Sequence, residues 1–140
     1  MATRSLVRFA KREEGVSFSE HPERVEVQVY KHYDGYPSGH PTQLAEFLKD
    51  FKIVNGLGQD TYRTANGLGC LAAQYIAAFK QDAGDLYVEN PDVEHMDIEY
   101  ITYVWGDYGK GIWMSIFDIE DGCIFVGKPQ ELIDKYEYDD

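Results

Sequence analysis

The chain has 140 residues, of which 44% are hydrophobic and 27% are charged, and this ordinary globular composition predicts a single folded domain over residues 1–140. Its 13 basic and 25 acidic residues give a formal net charge of −12, the wrong sign for neutralising nucleic-acid phosphates, so direct nucleic-acid binding is not expected. No apolar run approaches the roughly 20 residues of a membrane span and the first residues lack the apolar region of a signal peptide, so we expect a cytoplasmic protein without membrane contact.

Two strands and a loop are predicted in the first third of the chain. Ser5–Ala10 is a short apolar stretch that a run of charged residues ends. In Val25–Lys31 the valines alternate with polar residues, which is the period of a strand with one buried and one solvated face. The next segment, His32–Pro41, contains two glycines and two prolines, which forbid continuation as strand or helix and predict an ordered loop.

Two helices are predicted next along the chain. Apolar residues recur at helical spacing in Gln43–Phe51, with Thr42 as the N-cap. A stronger pattern runs from about Ala65 to Gln81 and predicts the core helix. The sequence Asn-Gly-Leu-Gly occurs at residues 55–58 and again at 66–69. Paired glycine loops can bind an anion, but the P-loop and dinucleotide-binding patterns are missing, so helix punctuation is the better interpretation.

The second half of the chain predicts a three-stranded antiparallel meander. Its strands are rich in β-branched and aromatic residues and are separated by glycine-containing turns. They are expected at Ile98–Trp105, Ile112–Ile119 and Cys123–Val126, with a short extra strand at Leu86–Val88 and a last helix opened by Pro129. The order β-β-α-α-β-β-β-α predicts an α+β fold, with a mostly antiparallel sheet and helices packed on one face.

The loop after the second strand holds the densest group of chemically reactive side chains. They are Tyr30, His32, Asp34, Tyr36 and His40. Imidazole and carboxylate groups at such close range in the sequence could bind a ligand or a divalent metal, or could supply a base that a carboxylate orients. The alternative is that this segment is turn architecture, in which Asp34 caps backbone N–H groups and the tyrosines pack the loop onto the sheet.

No established catalytic or metal-binding motif accompanies this loop. The sequence has no nucleophile elbow and no zinc-protease helix pattern. Cys70 and Cys123 form neither a CxxC pair nor a disulfide framework, and they are expected to be buried, reduced thiols. We therefore predict no catalytic residue, no metal and no cofactor. A metal-dependent or acid–base enzyme centred on the His32–His40 loop stays as the alternative.

The acidic residues are concentrated in the second half of the chain. Residues 1–70 hold 9 basic and 9 acidic side chains, whereas residues 71–140 hold 4 and 16, so the halves carry 0 and −12. The excess falls in three clusters, which are Asp92, Glu94, Asp97 and Glu99, then Asp118, Glu120 and Asp121, then Glu131, Asp134, Glu137, Asp139 and Asp140. The middle cluster, Asp118, Glu120 and Asp121, is a candidate partner-binding acidic surface. Such a surface would attract a basic protein at long range. The alternative is that these charges only keep the protein soluble.

Two segments, Met1–Ser5 and Tyr30–Gly39, are similar to those of a family of small uncharacterised proteins of tailed bacteriophages and prophages. Those proteins open with a Thr-Arg-Ser stretch and carry a Tyr-x-His-x-Asp-Gly-Tyr-Pro-x-Gly segment after the next strand. The positions that match this segment are His32, Asp34, Gly35, Tyr36, Pro37 and Gly39. The resemblance implies an accessory protein that acts in the cytoplasm of an infected bacterium, and it implies no particular reaction.

Taken together, these features favour a non-enzymatic accessory protein that binds a host protein or a small ligand and thereby interferes with host defence or metabolism. A small ligand would use the tyrosine-rich loop and the aromatic residues of the predicted meander.

Overall fold

A six-stranded sheet forms the centre of the fold in the computed structural model, which describes residues 2–56, 58, 62–109 and 111–137. The strands of the chain are β1 (Ser5–Ala10), β2 (Val25–Lys31), β3 (Lys52–Val54), β4 (Thr64–Asn66), β5 (Leu86–Glu89), β6 (Tyr100–Gly106), β7 (Ile112–Asp118) and β8 (Gly122–Gly127). The helices are α1 (His40–Leu48), α2 (Gly67–Phe79) and α3 (Pro129–Tyr136). No helix in the described part of the chain is long and apolar enough to cross a membrane.

The strands of the main sheet lie in the order β5-β2-β1-β6-β7-β8. Every neighbouring pair is antiparallel except β1 and β6, which run parallel. The predicted meander is therefore β6-β7-β8, and the short extra strand expected at Leu86–Val88 is β5. The prediction of an α+β fold with a mostly antiparallel sheet is confirmed.

The sheet has two different faces. On the helix face, alternate strand residues such as Val7, Phe9 and Met114 pack in one buried cluster with the apolar sides of α1, α2 and α3. On the opposite face, called the outer face here, Tyr103, Trp105 and Phe117 form a second cluster with their neighbours. A segment without strand or helix, residues 11–24, lies over the outer face and is called the strap. The sheet is therefore covered on both sides, by helices on one and by the strap on the other.

The first two predicted helices begin and end at other residues than expected, whereas the last one opens at Pro129 as expected. The first helix starts at His40 and ends at Leu48, so Gly39 is the N-cap and Thr42 lies inside the first turn, where its hydroxyl donates to Pro37 O at 2.7 Å. A proline at the start of a helix explains the early start, because its missing N–H and fixed φ suit that position. The prediction of Gln43–Phe51 with a Thr42 cap was therefore shifted by about one turn.

The core helix starts at Gly67 and not near Ala65, because the preceding residues belong to a strand that was not predicted. Thr64–Asn66 pairs in parallel with Lys52–Val54 to form a separate two-stranded sheet. Gly67 has φ +86°, a left-handed conformation that ends the strand and that an α-helix interior does not allow. Each strand of this pair leads into one Asn-Gly repeat, and the two repeats meet where Gly56 N–H donates to the Asn66 side chain at 2.8 Å.

Each edge of the main sheet carries a lysine bonded to a strand carbonyl. Lys80 Nζ donates to Leu86 O on β5 at 3.0 Å. Lys135 Nζ donates to Ile124 O on β8, also at 3.0 Å. The two free cysteines, Cys70 and Cys123, are partly exposed and not fully buried as expected.

Two isoleucines near the end of β7 test which layer stabilises the fold. Ile116 is fully buried on the helix face, whereas Ile119 is 55% exposed. We expect Ile116→Ala to lower the free energy of unfolding by about 2–5 kcal/mol, because it leaves a cavity between the sheet and the helices. Ile119→Ala, the same chemical change three residues later, should alter it by less than about 0.5 kcal/mol. Urea denaturation measures both, and equal losses would contradict this account of the core.

Candidate functional site

The loop between β2 and α1 depends on two closely packed glycines. Gly35 N–H donates to Thr3 O at 3.0 Å, and a Cβ added to Gly35 would overlap the side chain of Ser5. A Cβ added to Gly39 would lie 2.9 Å from Cε2 of Tyr36, because the tyrosine ring covers this glycine. Without a side chain, Gly35 lets the loop lie against β1, and Gly39 leaves room for the Tyr36 ring.

An ion pair between a buried lysine and a partly exposed aspartate anchors the start of the same loop. Lys31 Nζ, on a side chain that is only 9% exposed, lies 2.6 Å from Asp85 Oδ2. The other oxygen of Asp85 accepts the Tyr33 N–H at 3.0 Å, and its carbonyl accepts the His32 N–H at 2.8 Å. Burial alone would raise the pKa of the Asp85 carboxyl, but the hydrogen bonds from Lys31 and Tyr33 outweigh burial and hold that pKa below its usual value. Nothing in the sequence around Asp85 predicts this pairing.

The side chains of Tyr30 and His32 contact each other on the outer face, at the end of β2. The Tyr30 hydroxyl lies 2.8 Å from His32 Nδ1. The Tyr30 ring also stacks on His95, with centroids 4.8 Å apart, and His95 Nε2 lies 2.8 Å from Glu89 Oε1. His95 is thus a neighbour of the predicted site that the sequence did not indicate, because it stands more than sixty residues away without a motif.

His40 lies on the other side of the sheet, in the helix-face core. Its Nε2 lies 2.5 Å from the Tyr75 hydroxyl, and its ring contacts Phe79 edge-on. Burial and the nearby charge of Lys31 lower the pKa of His40 to about 4, and Gln43, one turn further along α1, opposes this shift only in part. The Nδ1 atom is buried without a well-formed hydrogen bond in the described part of the chain. His40 is therefore a neutral core histidine at physiological pH.

The five loop residues named from the sequence do not form one site. Tyr30 and His32 share a contact on the outer face, and His40 packs in the core beneath the opposite face. Asp34 is exposed with φ +61°, and it contributes its backbone carbonyl, which accepts the His40 N–H at 2.7 Å. Within the described residues no group of three or more His, Cys, Asp or Glu side chains is placed to hold a metal ion. Tyr36 lies apart from the other four, at a cleft.

This cleft joins two of the acidic clusters to the loop. It has a volume of about 330 Å³ and is lined by Thr3, Tyr36, Ile98, Glu99, Tyr100, Asp118, Ile119 and Glu120. The backbone closes it on one side, where Ile119 N–H donates to Glu99 O at 3.1 Å. Three of these eight described residues are acidic and none is basic, so the cleft is a negatively charged recess with two tyrosine rings in its wall.

The electrostatics of the cleft follow from the carboxylates around Tyr100. Burial raises the pKa of the Tyr100 hydroxyl, and the negative charges of Asp118 and Glu99 raise it further. Arg4, which directly precedes β1, is paired with Asp97 at 3.0 Å. The carboxylates of the cleft therefore act together on any group that enters it.

The three residues of the predicted acidic surface have different roles. Asp118 Oδ1 accepts the Glu120 N–H at 2.9 Å and the Asp121 N–H at 3.4 Å, so it also caps the turn between β7 and β8. Glu120 lines the cleft with Asp118, whereas Asp121 is exposed beside it. Glu99 was visible in the sequence only as part of a separate cluster, and the parallel placement of β1 and β6 brings its strand beside Thr3 and the loop.

No protein-family model matches the chain, and no curated protein and no solved structure is significantly similar to it. Any function must therefore be argued from the geometry of the chain itself.

Two glycine substitutions should have opposite effects on stability. Gly35→Ala would push a Cβ into Ser5 and should lower the free energy of unfolding by about 1–3 kcal/mol. Gly69 lies in α2 with open space around it, so Gly69→Ala should raise the free energy of unfolding by about 0.5–1 kcal/mol through helix propensity. Thermal and urea denaturation of both variants check this, and a stable Gly35→Ala protein would show that the loop does not need its close approach to β1.

Protonation of His40 should destabilise the fold in acid. A histidine buried in its neutral form stabilises the protein fully above its unfolded pKa, and that contribution is lost as the pH falls toward the folded pKa of about 4. The full difference amounts to roughly 3 kcal/mol. The free energy of unfolding should therefore decrease more steeply below about pH 6 in the unsubstituted protein than in His40→Asn.

Urea denaturation at several pH values measures this difference, and NMR of the imidazole should show His40 neutral at pH values well above its folded pKa. An identical pH dependence of the two proteins would contradict the burial of a neutral His40.

Proposed function

We propose that the protein is a non-enzymatic binding protein that takes a positively charged segment of a partner protein into the acidic cleft. The observation that carries this proposal is that Glu99, Asp118 and Glu120, from two separate acidic clusters, line one recess together with tyrosines of β6 and of the loop. A recess of about 330 Å³ accommodates one or two extended side chains and not a folded element.

The chemistry of the cleft fits an arginine or lysine side chain. Carboxylates bind guanidinium and ammonium groups through charge-assisted hydrogen bonds, and a tyrosine ring attracts a cation to its face. Ile119, which is 55% exposed, adds an apolar surface for the aliphatic part of such a side chain. The excess charge of −12 over the chain would attract a basic partner from a distance and repel nucleic acid.

The partner expected from the sequence is a host protein in a bacterial cytoplasm, as the resemblance to phage accessory proteins implies. Interference with host defence or metabolism through such binding is part of the proposal. A small ligand is the other partner class, and the same cleft would receive it as an organic cation. The enzymatic alternative at the His32–His40 loop ranks second, because His40 packs against Tyr75 in the core, away from His32 and the exposed Asp34.

The proposal is tested with a defined probe, a short fluorescent peptide of alternating arginine and glycine, whose binding is followed by fluorescence anisotropy. We expect binding that weakens as salt is raised, because charges beyond about 8 Å are screened at physiological ionic strength. Glu120→Lys should weaken the binding about tenfold, because it places a positive charge at the cleft.

The matched control is Glu94→Lys, which changes the net charge by the same amount at an exposed acid that does not line the cleft. It should alter the affinity by less than about twofold. The proposal is overturned if the peptide does not bind, or if both variants weaken binding equally, since the second result would indicate attraction to the overall charge and not to the cleft.

A further inference from the structure

In the acidic cleft an aromatic ring and a carboxylate lie side by side. Tyr100 begins β6 and Asp118 ends β7, and the antiparallel register places them directly opposite each other, so their side chains leave the same face of the sheet. The Cβ atoms of such a pair are roughly 5 Å apart. Both side chains line the cleft. A group that packs on the Tyr100 ring is therefore within reach of the Asp118 carboxylate.

The second ring of the cleft is held in position by the loop backbone. The Tyr36 carbonyl accepts the Gly39 N–H at 2.8 Å, which closes a tight turn. The Tyr36 ring lies against Gly39, where an added Cβ would meet Cε2 at 2.9 Å and Cζ at 3.1 Å. Tyr36 is nevertheless 40% exposed and lines the cleft, so a positioned aromatic surface is open to a ligand.

The carboxylates supply hydrogen-bond acceptors from two adjacent strands. The turn after β7 orients Asp118, because its Oδ1 accepts the Glu120 N–H and the Asp121 N–H, and Oδ2 is the atom that a ligand can use. Glu99 directly precedes β6, and Glu120 lies in the turn after β7. The oxygens of Glu99 and Glu120 are thus added to Asp118 Oδ2 in the same recess.

Arginine and lysine side chains use such a combination differently. A guanidinium group is planar and has five N–H donors, so it can lie against an aromatic ring and donate to more than one carboxylate at the same time. An ammonium group is compact and strongly hydrated, and packing on a ring removes water that the ring does not replace. Carboxylates alone attract both cations, whereas a ring beside a carboxylate favours arginine.

We propose that the cleft selects arginine over lysine, with the guanidinium group packed on the tyrosine rings while it donates to Asp118 and to a second carboxylate. This inference rests on the proposed function, since it names which basic side chain of the partner enters the cleft. Tyr36 and Tyr100 are then the specificity-determining residues, and the carboxylates supply an attraction that arginine and lysine share.

The test compares two fluorescent peptides of equal length and charge, one of alternating arginine and glycine and one of alternating lysine and glycine. Fluorescence anisotropy at one salt concentration gives the Kd of each peptide. We expect the arginine peptide to bind about fivefold more tightly than the lysine peptide. Tyr36→Leu and Tyr100→Leu should each lower this ratio to about twofold, because they remove a ring and keep every carboxylate.

The matched control is Tyr108→Leu, because Tyr108 is 42% exposed, close to the exposure of Tyr36, and does not line the cleft. It should leave the ratio unchanged. Circular dichroism shows which variants fold, and Tyr36→Leu alone suffices if Tyr100→Leu does not fold.

Three results overturn arginine selection and leave the proposed function standing. They are equal binding of the two peptides by the unsubstituted protein, a fivefold ratio that persists in the folded leucine variants of the cleft, and an equal loss of the ratio in Tyr108→Leu. If neither peptide binds, the proposed function itself is wrong, and this inference is overturned with it.

Discussion

The ammonium group of Lys31 is the constraint around which this fold is arranged. A charge buried at the end of β2 is costly without a partner, because an unpaired buried ion lowers the free energy of unfolding by a large part of the small total that a domain has. Asp85 meets this need with one carboxylate oxygen and uses the other, together with its carbonyl, to bind the backbone of the next two residues. The beginning of β5, the end of β2 and the loop are thereby joined at one point, and this junction sets where Tyr36 and His40 lie.

Much of the architecture could be predicted from local patterns, but the grouping of the site could not. Alternating valines in Val25–Lys31 indicated a strand because their periodicity records which face is buried. The meander was indicated by its β-branched and aromatic residues and its glycine turns, and β6 is buried along nearly its whole length. The three-residue strands β3 and β4 are too short for any period to show, and they moved the start of the core helix to Gly67. Contacts such as those of His95 with Tyr30 arise from the order of strands in the sheet, which a single sequence does not state.

The loop residues illustrate how reactive side chains that are close in sequence can separate in space. Tyr30 faces the outer side and Lys31 the helix side, because neighbouring strand residues point to opposite sides. His40 reaches the helix-face core because it opens α1. Acidic residues from distant segments, in contrast, converge at the cleft. The alternation of strand residues and the order of strands in the sheet therefore decide which side chains face each other. The number of reactive residues in one stretch of sequence does not.

The lysines at the two sheet edges bear on how this protein behaves at high concentration. Lys80 and Lys135 each bond a carbonyl on an outermost strand, one at β5 and the other at β8. A strand from a second molecule that extended the sheet would first have to displace a charged amine from that strand carbonyl. Both open ends of the sheet are in this way protected from edge-to-edge polymerisation, and the molecule can keep an exposed β-sheet margin without acting as a template for aggregation.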